Sequence, residues 1–440
     1  MAMSQAAALA EKLIGHTGTA ETAQDITNPA RDRKKYADPS GETMKALCWM
    51  GKNTVEVQDV PKPRVVELRD VILKVTGSTV CGSDLHLLHG SIVELEKGDI
   101  LGHEFCGVVE SMGEQVGNLK VGDRVVASFQ IACGNVSLPG PLVYCNKKMS
   151  SQCEKTNSNT IENGMYGGTT AGMFGYSHFT GGFARGQSEY VRVPMGVTNL
   201  LKLPDSVPDE KGLYLSDVLC TSWNCVIDTG VEKGDVVAIW GAGPIGQMAA
   251  EFAFMNGASR VIMVDCNWRL DFMKEKYPKV ELLDFSKLPK GESVTSQLKK
   301  MVDGRGPDVA LECVAGEYPK GRAHYFEIML GMETDTSEII NEMITSTNHF
   351  NIGALVERGI RLIGNGQAPV HMYWEKLLKM IESGEIDPLK MVTHRVDVSE
   401  LDTIYYKFEK KEDGMQKVFV QTKFSAPPCK GSPSLTTYKK

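Results

Sequence analysis

The sequence lacks the features that mark several broad classes of protein. No apolar run approaches the roughly 20 residues of a membrane span. The net charge is −7 and the pI is near 5.8, which argues against broad binding to nucleic acid or to anionic membranes. The 11 cysteines are scattered and odd in number. A disulfide scaffold is therefore not expected, and a reducing compartment such as the cytoplasm fits better.

The 440 residues are enough for two or three domains, and both ends of the chain have a loose composition. Residues 1–43 are polar and rich in small residues. They lack the apolar core of a secretory signal, and Glu11 precedes the first arginine, Arg31, so a flexible extension is favoured over a transit peptide. Residues 425–440 contain Pro427-Pro428 and are predicted to be a flexible tail.

Two patterns of secondary structure divide the rest of the chain. Residues 44–205 contain short apolar or alternating runs punctuated by Gly and Pro, which predicts a β-rich domain. Residues 206–366 alternate strands with helices, which predicts an α/β domain with a doubly wound parallel sheet. Residues 367–424 contain a helix and two short strands that are predicted to rejoin the first domain.

A glycine-rich turn in the second region predicts a dinucleotide site. It lies between an apolar strand and a helical run, and an acidic residue ends the next strand. Such glycines let the backbone approach a pyrophosphate, while the carboxylate binds ribose hydroxyls and repels a 2′-phosphate. NAD is therefore expected over NADP, although an arginine nearby keeps NADP open. The predicted cofactor-binding residues are Gly241, Gly243, Pro244, Ile245, Gly246, Asp265 and Arg269.

A separate group of residues has the chemistry of a metal site. Cys81 and His103 are typical zinc ligands, and they are 22 positions apart (103−81), so the fold must bring them together. Glu104 is a further candidate ligand. Ser83 and His86 can carry protons. Together with the dinucleotide site, this group predicts a reaction rather than a binding site alone.

Two motifs around these residues resemble the zinc alcohol dehydrogenases of the medium-chain dehydrogenase/reductase superfamily. They are Gly102-His103-Glu104-x-x-Gly107-x5-Gly113-x-x-Val116 and Cys81-x-Ser83-x-x-His86. The resemblance covers about residues 44–423 and implies a GroES-like catalytic domain with a Rossmann nucleotide domain. It implies Cys81 and His103 as zinc ligands, with Glu104 as a ligand or a neighbour. Ser83 would accept the alcohol proton, and His86 would pass it towards solvent.

The third protein ligand of this family is expected within residues 215–222. Asp217, 24 positions before Gly241 (241−217), resembles the aspartate of the glutathione-independent formaldehyde dehydrogenase branch, where it replaces a cysteine. Thiolate and carboxylate each carry one negative charge, so together with a neutral histidine they leave Zn²⁺ formally neutral and open to one more ligand. Cys220 and Cys225 are rival ligands, with core packing as their alternative role.

The chain departs from the family at the second, structural zinc, which many members hold on C-x2-C-x2-C-x7-C. Cys145 and Cys153 keep the last spacing. Cys133, however, lies 12 positions before Cys145 (145−133), and no cysteine stands near Val136. Three thiolates with one water make a weak closed site, so about one tightly bound zinc per chain is expected.

A further departure follows Ser346. Residues 318–347 resemble a helical stretch of the formaldehyde dehydrogenase-like branch, but about 20 residues expected next, a strand with its loops, are absent. In the order 3-2-1-4-5-6 the missing strand is the fifth, between one at Val309 and one predicted near Arg361–Ile363. The Rossmann sheet is therefore predicted to lack one strand, unless another segment fills the gap.

These observations predict a zinc-dependent oxidoreductase that transfers a hydride between an alcohol or aldehyde and NAD. One alternative is a polyol or amino-alcohol dehydrogenase of the same superfamily. Another is a catalytically impaired isoform that retains zinc or dinucleotide binding. The expected partner is a small-molecule substrate, without nucleic acid or membrane. The resemblance also implies a homodimer or homotetramer.

Overall fold

The computed structural model describes residues 28–30, 32–134, 143–184, 186–266, 268–314, 337–344, 356 and 359–438. Their contacts define two compact units. The β-rich unit takes in the chain up to residue 220 and again from residue 369, and the parallel-sheet unit takes in residues 221–368. In the described ranges, every helix is too short or too polar to cross a membrane.

The described strands and helices have the following bounds, in chain order. The strands are β1 (Thr43–Gly51), β2 (Thr54–Pro61), β3 (Val71–Ser78), β4 (Phe105–Met112), β5 (Arg124–Ala127), β6 (Gln130–Ile131), β7 (Gly172–Met173), β8 (Tyr190–Val193), β9 (Leu200–Lys202), β10 (Val236–Trp240), β11 (Arg260–Asp265), β12 (Glu281–Asp284), β13 (Val309–Glu312), β14 (Val392–Asp397) and β15 (Lys417–Gln421). The α-helices are α1 (Arg33–Tyr36), α2 (Gly82–Leu88), α3 (Val143–Asn146), α4 (Thr160–Tyr166), α5 (Gly196–Asn199), α6 (Asp209–Gly212), α7 (Val218–Thr229), α8 (Pro244–Met255), α9 (Trp268–Lys276), α10 (Val294–Met301), α11 (Ser337–Ile344), α12 (Val370–Glu382) and α13 (Leu401–Lys410).

The β-rich unit is built on a seven-stranded sheet with the order β14-β15-β3-β4-β5-β9, in which β8 also pairs with β3. The central strand β3 is buried along nearly its whole length, because apolar side chains pack on both of its faces. Phe105 and Val109 of β4 belong to one apolar cluster, and Val418 and Val420 of β15 belong to another. The predicted β-rich domain is confirmed.

The parallel-sheet unit has four described strands in the order β12-β11-β10-β13, all parallel. Numbered within the unit, this is the order 3-2-1-4 of a doubly wound fold. All five residues of β10 are buried, as expected for a central parallel strand with both faces covered. The predicted α/β fold class is confirmed.

The prediction that the sheet lacks one strand falls partly outside the described residues. Residues 315–336 and 345–355 are not described, and the junction after Ser346 lies within the second range. Among the described strands, β13 pairs with β10 alone. The prediction of a strand near Arg361–Ile363 is wrong, because residues 360–366 form no regular structure. A strand is defined by pairing, and no described strand pairs with this segment.

The structure also corrects the predicted flexible ends of the chain. Residues 28–43 include α1, whose main chain accepts hydrogen bonds from the Arg64 side chain. The tail from residue 425 to residue 438 is anchored as well, since Arg395 donates a hydrogen bond to the carbonyl oxygen of Ala426 (2.7 Å). Composition could not show these bonds, because the donors lie far away along the chain. The arm before residue 28 lies outside the described residues.

The boundary between the compact units differs from the predicted domain boundary. The units meet at 220/221 and 368/369, whereas the sequence places boundaries at 205/206 and 366/367. The segment before residue 220 belongs with the β-rich unit because Tyr214 is fully buried there. Its hydroxyl donates a hydrogen bond to the carbonyl oxygen of Val418 on β15 (3.2 Å).

Candidate active site

The short helix α2 positions three of the predicted site residues. Cys81 stands at its N-cap, directly after β3. The Asp84 carboxylate accepts a hydrogen bond from the Cys81 main-chain nitrogen (2.9 Å), which fixes the start of the helix. Ser83 and His86 are three residues apart, so they lie on one face of α2, and both are half-buried. The predicted proton-carrying pair therefore lies on the helix that begins at Cys81.

A tight turn places His103 and Glu104 at the start of β4. Gly102 has a φ of +97°, and a Cβ at this position would lie 2.3 Å from Cγ of Gln187. Only glycine fits there, because the backbone is left-handed and the space is already filled. The turn buries both ligand candidates, leaving 5% of the His103 side chain and none of the Glu104 side chain exposed.

The structure brings four predicted site residues together. Cys81, His103, Glu104 and Asp217 each offer a ligand atom, and these atoms all lie within 4.8 Å of one another. We call this group the mixed cluster. Nε2 of His103 lies 3.4 Å from Oδ2 of Asp217 and 3.7 Å from Oε1 of Glu104. The residues come from three separate segments of the chain, so this convergence is a property of the fold.

The two rival cysteines lie outside the mixed cluster. The buried thiol of Cys220 donates a hydrogen bond to the carbonyl oxygen of Leu215 (3.3 Å). Cys225 hydrogen-bonds Cys313 in the parallel-sheet unit, which lowers the pKa of the Cys225 thiol. Both rivals therefore have other contacts, and of the three candidates for the third ligand only Asp217 lies in the mixed cluster.

A buried ion pair supports one edge of the mixed cluster. Nζ of Lys417, on β15, lies 2.5 Å from Oε1 of Glu104, and both side chains are buried. Burial raises the pKa of Glu104, and the Lys417 ammonium offsets only part of this rise. Burial alone would lower the pKa of Lys417, but the charge of Glu104 raises it. Each charge thus depends on the other to remain buried.

His103 lies between two acidic groups. Nδ1 of its ring is 3.3 Å from Oδ1 of Asp84, on the side opposite to Nε2. Burial alone would lower the pKa of His103. The carboxylates of Asp84 and Asp217 and the Cys81 side chain instead raise it well above its usual value. In the absence of a metal, the imidazole is therefore a strong proton acceptor, held between anions.

Sequence reasoning missed three residues that support this site: Asp84, Gln187 and Lys417. Asp84 carried a local signal, since an acidic residue three positions after a cap is typical of a helix start. Lys417 and Gln187 carried no such signal, because their partners are 313 and 103 residues away along the chain.

A second group of thiols converges in the β-rich unit. The sulfur atoms of Cys133, Cys145 and Cys153 lie within 4.8 Å of one another, and Cys133 and Cys145 are 3.6 Å apart. We call this group the thiol cluster. A hydrogen bond from Cys145 lowers the pKa of Cys153 to about 5. The position near Val136, where a further cysteine was expected, lies outside the described residues.

The predicted dinucleotide turn has the expected local structure. It connects the buried strand β10 to α8, which has Gly243 as N-cap and Pro244 as first residue. A Cβ at Gly246 would lie 1.9 Å from the carbonyl oxygen of Gly241, so glycine is required for the helix to start this close to the strand. Ile245 accepts a hydrogen bond from the Ser222 hydroxyl (3.1 Å) at its carbonyl oxygen.

Asp265, at the end of β11, binds the same turn. One carboxylate oxygen accepts a hydrogen bond from the main-chain nitrogen of Ala242 (2.6 Å), and the other accepts from that of Cys266 (2.7 Å). Nη1 of Arg269 lies 3.3 Å from the carboxylate. Only 2% of Asp265 is exposed. The acid predicted to contact ribose therefore also holds the turn, and it neutralises the nearby arginine.

Comparisons with known proteins agree with this architecture. The profile of the alcohol dehydrogenase GroES-like domain matches residues 67–205. A zinc-type alcohol dehydrogenase-like protein from Schizosaccharomyces pombe is 37% identical over 429 residues, covering 93% of this chain and 96% of the relative. A glutathione-independent formaldehyde dehydrogenase from Pseudomonas aeruginosa is 29% identical, covering 86% of this chain and 96% of the relative.

Solved structures show the same relationship. The alcohol dehydrogenase TADH from Thermus sp. ATN1 superposes with a TM-score of 0.68 at 29% identity, covering 86% of this chain and 100% of that structure. The relatives and the fold agree with each other and with the motifs around Cys81 and His103. The chain therefore belongs to the zinc-type alcohol dehydrogenases of the medium-chain dehydrogenase/reductase superfamily, and it is an oxidoreductase.

Proposed function

We propose that the chain transfers a hydride between an alcohol or aldehyde and NAD, with zinc held by Cys81, His103 and Asp217. The observation that carries the proposal is the mixed cluster, in which four ligand atoms lie within 4.8 Å. The small-molecule substrate follows from the family, whose relatives are named for alcohols and for formaldehyde. The cytoplasmic location and the homo-oligomer expected from the sequence remain predictions.

The donors of the mixed cluster fit zinc. A thiolate, an imidazole and a carboxylate are all zinc ligands, and three protein ligands are typical of catalytic zinc with one open position. Oε2 of Glu104 is buried without a hydrogen-bond partner among the described residues. Glu104 can therefore serve as a neighbour or a fourth ligand on the same side.

The chain's own residues would manage the proton. Zinc, when bound, supplies Lewis-acid polarisation of the substrate oxygen. The Ser83 hydroxyl would accept the proton released when an alcohol is oxidised, and His86, one turn along α2, would pass it to solvent. Asp84 would keep the His103 ring oriented during this transfer.

The dinucleotide turn supports NAD as the partner in hydride transfer. Main-chain nitrogens at the start of α8 are suited to a pyrophosphate, since Gly243 and Gly246 leave room for its approach. Arg269 lies beside Asp265, whose carboxylate would repel a 2′-phosphate. The turn suits either dinucleotide, and the Asp265 carboxylate favours NAD over NADP.

The variant Asp217→Ala tests the proposal directly. It removes one anionic ligand, so we expect the loss of bound zinc together with the loss of NADH formation on a panel of alcohols. Zinc is measured by elemental analysis of the purified chain. Asp228→Ala is the matched control, because Asp228 is an exposed aspartate on α7, and this variant should keep both properties. Full activity and zinc content in Asp217→Ala would remove Asp217 from the site.

A further inference from the structure

Three buried polar side chains lead away from His103 in a continuous series. They are Asp84, Gln187 and Tyr405, and each is fully buried. They lie on α2, in the segment before β8 and on α13, so only the fold joins them. Gln187 and Tyr405 are outside the mixed cluster and cannot touch a metal held there.

The hydrogen bonds around Gln187 fix the orientation of its amide. Nε2 donates to the carbonyl oxygen of Thr79 (2.9 Å) and to Oδ2 of Asp84 (3.2 Å). A main-chain carbonyl can only accept, so the nitrogen must face Thr79. The amide oxygen is left on the other side, where it accepts a hydrogen bond from the Tyr405 hydroxyl (2.6 Å). The tyrosine thus keeps the donor side of the amide directed at Asp84.

The orientation of Asp84 determines which nitrogen of His103 carries a proton. Oδ2 of Asp84 receives two donors, the Cys81 main-chain nitrogen and the Gln187 amide, which hold the carboxylate in one orientation. Its other oxygen lies 3.3 Å from Nδ1 of His103, an electrostatic contact rather than a well-aligned hydrogen bond. A carboxylate beside Nδ1 favours the proton on that nitrogen. Nε2, which faces Asp217, then carries the lone pair that a metal needs.

We propose that Gln187 and Tyr405 are positioning residues for the metal, which hold Asp84 so that His103 presents its Nε2 lone pair to a divalent cation. The inference rests on the proposed function only in requiring that the mixed cluster bind a metal. It deepens that function by extending the site to two buried residues outside the mixed cluster.

The expected effects decrease with distance from the ligand. Loss of a group that orients a metal-bound histidine costs about 10–100-fold in metal affinity. Gln187 acts one step further away, through Asp84, so we expect Gln187→Leu to weaken zinc binding about tenfold. Tyr405 acts through Gln187, so Tyr405→Phe should weaken it about threefold. The double variant should bind zinc about as weakly as Gln187→Leu if the Tyr405 hydroxyl acts through its hydrogen bond to Gln187.

The test measures metal binding by the full chain without using activity. Zinc is removed with a chelator, and the dissociation constant for added Zn²⁺ is measured by competition with a chromogenic chelator. Co²⁺ is then added in place of zinc, since its visible absorption bands report the geometry of the ligands. Altered cobalt bands in Gln187→Leu, together with the graded loss of zinc affinity, would support the proposal.

Tyr190→Phe is the matched control. It also removes a buried tyrosine hydroxyl that hydrogen-bonds a side-chain oxygen, here of Glu42 (3.1 Å), and it should leave zinc affinity unchanged. Thermal unfolding is recorded for every variant. If Gln187→Leu and Tyr405→Phe unfold at lower temperature but keep the wild-type zinc affinity and cobalt bands, their role is packing alone and the proposal is wrong. A wild-type chain that binds no zinc would instead overturn the proposed function, and this inference with it.

Discussion

The mixed cluster and the thiol cluster lie in the same unit, yet they are built in opposite ways. The mixed cluster combines a thiol, an imidazole and two carboxylates. Two charged residues outside it contact its members, Lys417 at Glu104 and Asp84 at His103. The thiol cluster contains sulfur donors alone. Its member Cys145 is half-buried and lines a cavity of about 380 Å³ together with His371. Charged partners support the mixed cluster, whereas one member of the thiol cluster lines a cavity.

Charge explains why this difference matters for a metal. In the mixed cluster, one thiolate and the Asp217 carboxylate would neutralise a bound divalent cation, and Lys417 neutralises Glu104. In the thiol cluster, three thiolates would leave one negative charge in excess around a divalent cation, and among the described residues no carboxylate or imidazole joins these thiols. Burying an uncompensated charge is costly. The comparison therefore predicts strong retention of zinc at the mixed cluster and weak retention at the thiol cluster.

The largest expected effect is on zinc content. After exposure to a mild chelator, the wild-type chain should keep about one zinc, all of it at the mixed cluster. Cys81→Ala should then keep none, whereas Cys145→Ala should keep the wild-type amount. Elemental analysis of the three proteins provides the measurement. Two retained zinc ions per wild-type chain, or a loss of zinc in Cys145→Ala alone, would break the distinction between the clusters.

The next effect concerns the ion pair that only the mixed cluster has. Lys417→Met would leave the Glu104 carboxylate buried without its partner, so we expect the free energy of unfolding to fall by about 3–5 kcal/mol. Denaturant titration of the full chain measures this change. Adding Glu104→Gln to the same chain should recover most of the loss, since neither position of the pair then carries a buried charge.

Lys423→Met is the control for this ion pair. Lys423 pairs with Glu189 at 3.0 Å, but half of its side chain is exposed. Exposed pairs contribute about 0–1 kcal/mol, so this variant should be nearly neutral. If the two lysine variants lost equal amounts of unfolding free energy, burial would not make the Lys417–Glu104 pair more important than the exposed Lys423–Glu189 pair.

Local sequence patterns predicted much of this molecule. The dinucleotide turn could be recognised because its parts are contiguous in the sequence. They are the five apolar residues of β10, the Gly-rich turn and the helix after it. The motifs around Cys81 and His103 indicated three members of the mixed cluster, and the resemblance to the formaldehyde dehydrogenase branch, supported by charge equivalence, pointed to Asp217. Each of these inferences needed only neighbouring residues or a known motif.

The rest depended on partners that are distant in sequence. Lys417 and Gln187 become recognisable only once the sheet and α2 place them beside Glu104 and Asp84. The tail was predicted to be loose because its composition is that of a loop, yet Arg395 holds its main chain. Composition reports the intrinsic preference of a segment, and tertiary hydrogen bonds override that preference.

The smallest expected effect is on the pH dependence of stability. It contrasts His103, a member of the mixed cluster, with His371, which lines the cavity beside the thiol cluster. Carboxylates raise the pKa of His103, whereas burial lowers the pKa of His371 to about 4. An unfolded histidine has a pKa of about 6.5, so between these values the unfolded chain binds the extra proton at His371. The free energy of unfolding should therefore fall as the pH falls from about 6.5 towards 4, by at most about 3 kcal/mol from this residue.

His371→Gln should flatten this pH dependence in the metal-free chain, as measured by denaturant titration at several pH values. His103→Gln should act in the opposite sense. The raised pKa of His103 adds stability at pH values below that of an unfolded histidine, and this contribution is lost as the pH rises through the folded value. The comparison uses the slope of the unfolding free energy against pH rather than its absolute value. Lost packing, such as that of the His371 ring on Trp374, then does not affect the result. If both substitutions changed the pH dependence of the unfolding free energy in the same direction, the contrast between a histidine held among carboxylates and one whose charge is disfavoured by burial would fail.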